Sequence, residues 1–156
     1  MTKLEAKFSA KLWTLRCLKK SGMERARILD LYNSIIRPVI EYCSNAYHCL
    51  LTKNQSDRLE KLQSRALKSI FGWNLKYEDL LEQTGQETLE TRRKRSFDSF
   101  TMRAAKNPKY RDWFPLLPGT GHNTRKLEGF ARTERLKNSP VYTMRRRLNE
   151  INREAK

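Results

Sequence analysis

The stretch TKNQSDRLEKLQSRALKSIFG, Thr52 to Gly72, decides the fold class. Leu59, Leu62, Ala66, Leu67, Ile70 and Phe71 recur at intervals of three and four, the signature of an amphipathic helix. Thr52 and Gln55 have the spacing of a capping box, and Gly72 is a helix stop. The same grammar extends in both directions. Upstream, Leu4, Phe8, Leu12, Leu15 and Leu18 predict a helix over 3–21, closed by Gly22. Ile28, Leu29, Tyr32, Ile35 and Ile36 form the next apolar stripe, ended by Pro38, because the residue before a proline is pushed out of the helical region. Pro38 then opens a third helix that buries Val39, Cys43, Ala46, Tyr47 and Leu50. Downstream, a short helix spans 77–84 and ends at Gly85. Thr88 opens a long helix through Phe97, Phe100 and Ala104, which Asn107-Pro108 stops. Residues 115–126 read as a loop. Ser139-Pro140 starts a final helix through Leu148 and Ile151.

No segment alternates as a strand would. The expected fold is all-α: a bundle of about four helices over 1–72, two or three further helices, and a basic tail that is mobile without a partner. The expected divisions are 1–75, 76–114 and 115–156.

The chain has 156 residues, 33 Lys+Arg against 17 Asp+Glu, and a formal net charge of +16. Its apolar share is 38% and its charged share 32%, the latter above the usual roughly 25%. No run reaches the ~18 apolar residues of a membrane span. Charges stand near the N-terminus where a secretory signal would be apolar. Cys17, Cys43 and Cys49 are too few and too irregular for a disulfide framework. The expected location is intracellular, nuclear or cytoplasmic, and not secreted. The excess charge calls for a polyanion, nucleic acid before an anionic membrane surface.

That excess is distributed in blocks: +6 over 1–27, +3 over 52–75, +7 over 92–111 and +5 over 132–156, separated by neutral or acidic stretches. The candidate phosphate contacts are Arg16, Lys19, Lys20 and Arg25 in the first block, and Lys61, Arg65 and Lys68 in the second. Arg92, Arg95 and Arg103 come from the third, and Arg145 and Arg146 from the fourth. Arginine suits phosphate because its planar fork donates two parallel hydrogen bonds. Lysines and arginines in a helix's last turn also complement its negative pole. No helix is marked as a groove reader, so contacts to backbone and shape are expected over base contacts. Trp13, Trp73 and Trp113 could stack on bases, although packing is the commoner fate of tryptophan.

Metal-assisted phosphate chemistry needs clustered carboxylates. Asp30, Asp57, Asp79, Asp98 and Asp112 are isolated in sequence, and Glu78-Asp79 is an outward pair. Cys17, Cys43, His48, Cys49 and His122 lack the paired spacing of a zinc site. Cys43 reads as a small core residue. Gly119-Thr120-Gly121 is a turn, with no phosphate-cradling glycine loop. No cofactor, metal or catalytic residue is expected.

Beyond this, Leu29-x-x-Tyr32-x-x-x-Ile36-Arg37-Pro38-x-x-Glu41-Tyr42, then Tyr47-His48, then Leu51-Thr52-Lys53-x-Gln55-x-x-x-Leu59-Glu60-x-x-Gln63-x-x-Ala66-Leu67, resembles the segment after the polymerase palm in reverse transcriptases of non-LTR (LINE-type) retrotransposons. Leu12-Trp13, Tyr77-Glu78, Leu89-Glu90-x-Arg92-Arg93 and Lys137-Asn138-Ser139-Pro140 are similar in the same order. The likeness covers roughly 5–150. It implies a thumb-like fragment of an RNA-directed DNA polymerase, without fingers, palm or catalytic aspartates. Such a fragment would hold a template–primer duplex of RNA and/or DNA through its phosphates and do no chemistry alone. The alternative is a domesticated basic helical module that binds a protein partner or an anionic surface.

Overall fold

Lys53–Phe71 is one unbroken helix, and its ends form as the sequence predicts. The Thr52 hydroxyl accepts the Gln55 amide at 3.3 Å, and the Gln55 carboxamide accepts the Thr52 amide at 3.0 Å. Its inner face buries Leu59, Leu62, Ala66, Leu67 and Ile70. Each leucine so buried contributes about 1.5–3 kcal/mol.

The computed structural model describes residues 2–116 and 131–154. All regular structure among them is helical, so the fold is all-α. The elements are α1 (Thr2–Lys20), α2 (Arg25–Leu31), a wide π turn (Tyr32–Ile36), α3 (Arg37–Glu41), α4 (Ser44–Tyr47), α5 (Lys53–Phe71), α6 (Tyr77–Thr84), α7 (Leu89–Lys106), α8 (Glu134–Lys137) and α9 (Pro140–Glu154). Short 3-10 turns cover His48–Leu50 and Pro108–Trp113. Most of the loop expected over 115–126, with Gly119-Thr120-Gly121 and His122, lies outside the described residues.

Contacts divide the chain into two compact units. The first is Met1–Tyr42 with Thr52–Arg92, and the second is Cys43–Leu51 with Arg93–Lys156. The division follows packing rather than chain order, so it differs from boundaries near 75 and 114. In the first unit α5 packs on α1, α2 and α6. Its core holds Phe8, Leu12, Leu15, Ile28, Tyr32, Ile36 and Ile40 beside the α5 stripe. In the second, Phe97, Ala104, Phe114, Met144 and Leu148 form the core. The tail expected to be mobile therefore contributes two core residues through α9.

Three local expectations fail. Pro38 does not end the preceding helix, and Arg37 before it keeps helical angles (φ −59°, ψ −41°). The π turn explains this. Its closing Arg37 amide donates to the Tyr32 carbonyl, five residues back, so the backbone is already widened where the proline enters. The turn also fits the core pattern. Ile28, Tyr32, Ile36 and Ile40 are buried at strict intervals of four. A regular α-helix would drift about 120° over those three steps, and a wider turn removes the drift. Ile35, expected in the stripe, is consequently 52% exposed.

The expected third helix breaks after Glu41. Tyr42 is extended, and Cys43 adopts left-handed angles (φ 54°), which cost a non-glycine residue about 1–3 kcal/mol. Cys43 is exposed, not core, and Ala46 and Leu50 are exposed with it. The break coincides with the division between the units, since α3 belongs to the first and α4 to the second.

Candidate nucleic-acid interface

Two ties fix how α1 lies along α5. Near their starts, Arg58 donates to Glu5 at 2.7 Å. Near their ends, Lys19 Nζ donates to the Ser69 carbonyl at 3.2 Å. The helices therefore run parallel, and their C-terminal turns lie together. Helical rotation of about 100° per residue then places the cations. On α1, Lys11, Thr14 and Leu18 line an apolar cavity with Leu31, Ile35 and Ile36. Trp13, Arg16 and Lys20 form a stripe on the opposite flank. On α5, Glu60 and Gln63 turn toward Tyr77 and Glu87. Lys61, Arg65 and Lys68 follow the other flank, the one continuous with Arg58 and α1. Both stripes border the α1–α5 seam on the same side.

The charge there is strong. No Asp or Glu occurs from Ala6 to Met23 or from Lys61 to Tyr77. Two parallel helix ends bring about one unit of negative pole charge together. Six cations stand against it: Arg16, Lys19, Lys20, Lys61, Arg65 and Lys68. Helix poles therefore account for only a fraction of them, and about +5 remains. Arg16, Lys20, Lys61 and Arg65 are exposed and make no ion pair with another described residue, and Lys68 is half-buried. Arg25, also exposed, begins α2.

Two of the three tryptophans depart from the packing expectation. Trp13 is 68% exposed and Trp73 57%. The signal was in the sequence: Trp13 shares its spacing with Arg16 and Lys20, not with Phe8, Leu12 and Leu15. Trp113 is partly exposed, its ring 4.6 Å from that of Tyr110.

Three other candidate cations, Arg92, Arg145 and Arg146, are tied to residues of their own units. Arg92 grips Glu41 with two hydrogen bonds, one of them at 3.2 Å. Arg37, 3.6 Å from the same carboxylate, donates to Asn33 at 2.8 Å and Gln86 at 2.7 Å. The Glu41 hydrogen bond raises the Arg92 pKa, whereas burial and the neighbouring Arg92 charge lower that of Arg37. The two shifts differ in sign because Glu41 bonds closely to Arg92 and only distantly to Arg37. Glu60 accepts the Tyr77 hydroxyl at 2.8 Å and the first α7 amides, Leu89 at 3.2 Å and Glu90 at 2.7 Å. A carboxylate at that positive pole is favourable. Tyr32, Arg37, Glu41, Glu60, Gln63 and Arg92 thus lie together in the interior of the first unit, where buried or hydrogen-bonded side chains join its helices.

Burial raises the phenol pKa of Tyr32, and burial with Glu60 raises that of Tyr77. A raised folded-state pKa gives stability that is present below the ordinary phenol value, near 10, and lost as pH climbs above it. The Tyr32 hydroxyl has no hydrogen-bond partner among the described residues. Tyr32→Phe removes both the ionisation and that buried hydroxyl. It is expected to be neutral or stabilising by about 1 kcal/mol at pH 7 and to delay unfolding in an alkaline circular-dichroism titration.

In the second unit, Arg147 pairs with Asp98 at 3.0 and 3.1 Å and with Glu150 at 3.0 Å. Its pKa is raised, chiefly by the Asp98 hydrogen bond. Arg145 donates to the Trp113 carbonyl at 2.6 Å and lies 5.4 Å over the Tyr142 ring. Arg146 donates to the Lys137 carbonyl, the end of α8, at 3.0 Å. Arg95 and Arg103 are exposed on α7, and Arg103 reaches the Ser99 carbonyl at 3.4 Å. Arg93 is buried, at the α7 position four residues from both Leu89 and Phe97.

Among the described residues no three His, Cys, Asp or Glu are grouped to hold a metal ion. No helix there is long and apolar enough to cross a membrane. Scans against protein-family models, curated proteins and solved structures return no match for this chain.

Proposed function

We propose that this chain binds the sugar-phosphate backbone of nucleic acid along the α1–α5 seam. The carrying observation is the parallel pair of basic stripes, Arg16 and Lys20 beside Lys61, Arg65 and Lys68, in a stretch of both helices that contains no acidic residue. Exposed, unpaired cations can give up their counterions to phosphate, which drives such binding. The resemblance to the reverse transcriptase thumb suggests the ligand, a template–primer duplex, and a gripping role without chemistry of its own. Arg92 is set aside as a contact because its guanidinium already grips a carboxylate, that of Glu41, and Arg145 and Arg146 because each is anchored by one nitrogen to a backbone carbonyl of its own unit.

The test is a titration of labelled RNA–DNA hybrid across a salt series. Affinity is expected to fall with salt, with a log–log slope between about −3.6 and −5.4 for four to six phosphate contacts. An affinity that does not change with salt would sink the proposal. Failure to bind nucleic acid, with retention of a defined protein complex, would favour a protein-binding module.

A further inference from the structure

We infer that Trp13 is a stacking platform for an unpaired base, so the seam takes single-stranded nucleic acid or the overhang of a duplex in preference to a blunt duplex. This inference rests on the phosphate-binding proposal for the same seam. Trp13 is 68% exposed, a costly disposition for an indole, which gains most from burial. It stands on one stripe with two cations. At 1.5 Å per residue, Arg16 lies about 4.5 Å and Lys20 about 10 Å further along the axis. An aromatic face with cations at such steps suits a strand whose base stacks while its neighbouring phosphates pair. A blunt duplex does not offer this contact. Its base faces are stacked on one another, and opening a step costs a few kcal/mol. The indole therefore finds a partner where a base is already free.

The experiment uses the whole chain carrying Trp73→Phe and Trp113→Phe, so that Trp13 is the sole indole emitter. The probes are oligothymidine, a blunt duplex and a duplex with a thymidine overhang. Oligothymidine and the overhang are expected to quench Trp13 emission, and the blunt duplex is not. In the otherwise wild-type chain, Trp13→Ala is expected to weaken oligothymidine binding on the order of 10-fold. Blunt-duplex affinity and the salt slope should stay unchanged, and Trp13→Phe should recover part of the loss. Salt-dependent binding to all three probes with unquenched Trp13 and no effect of Trp13→Ala would overturn the stacking role and leave the phosphate proposal standing. No binding to any probe would overturn both.

Discussion

Glu41→Ala is expected to destabilise the first unit by about 3–5 kcal/mol, the cost of breaking a desolvated ion pair from one side. Glu41 is the counterion of two arginines at once, Arg92 through two hydrogen bonds and Arg37 at 3.6 Å. All three side chains are less than a third exposed, at 22%, 27% and 15%. Solvent screening therefore absorbs less of the loss than it would at a surface pair. Without Glu41 the two guanidinium groups lose the carboxylate they share, and the Arg37 pKa is already lowered by burial and by Arg92. Glu41→Gln keeps the shape and an acceptor, so it should cost less than alanine. Glu41→Met combined with Arg92→Met removes the carboxylate and one arginine together, while Arg37 keeps Asn33 and Gln86. That pair should be milder than Glu41→Ala. Urea denaturation followed by circular dichroism measures all three. A loss for Glu41→Ala below about 1 kcal/mol would show that the pair behaves as an exposed one.

This network also shows what could be read in the sequence. Helix termini were legible because each rests on local chemistry: the Thr52–Gln55 box, Gly22 at φ 81°, Gly85 at φ 61°, and the Thr88 hydroxyl accepting the Thr91 amide at 3.1 Å. The π turn and the break at Cys43 were not legible from an apolar period of 3.6. The first is a change of period, recognisable only as the interval of four through Ile28, Tyr32, Ile36 and Ile40. The second follows from the division into units, which depends on contacts distant in sequence. Charge placement was legible block by block but not arginine by arginine. Arg92 and Arg65 carry the same charge in the sequence. Only tertiary structure brings Glu41 to Arg92, 51 residues away, and leaves Arg65 exposed.

The second large expected effect follows from that distinction. Arg16→Ala, Lys20→Ala and Arg65→Ala together should flatten the salt slope for nucleic acid by about 2.7, at roughly 0.9 per lost phosphate contact, and weaken binding at moderate salt on the order of 10-fold or more. Stability should change little, because the three side chains are exposed and unpaired among the described residues. Arg145→Ala with Arg146→Ala removes two charges from the other end of the chain and should do the reverse. Binding and salt slope stay near the parent values. Stability of the second unit falls by about 1–3 kcal/mol, for hydrogen bonds lost to the Trp113 and Lys137 carbonyls. The contrast separates location from bulk charge. A protein held to polyanions only by its +16 would lose affinity in proportion to the charge removed, three units against two, wherever the arginines stood. A seam between parallel helices would lose it almost entirely from the first variant. Equal loss per charge in the two variants would mean diffuse attraction without an interface, and a larger loss from the Arg145/Arg146 pair would move the contact surface to α9.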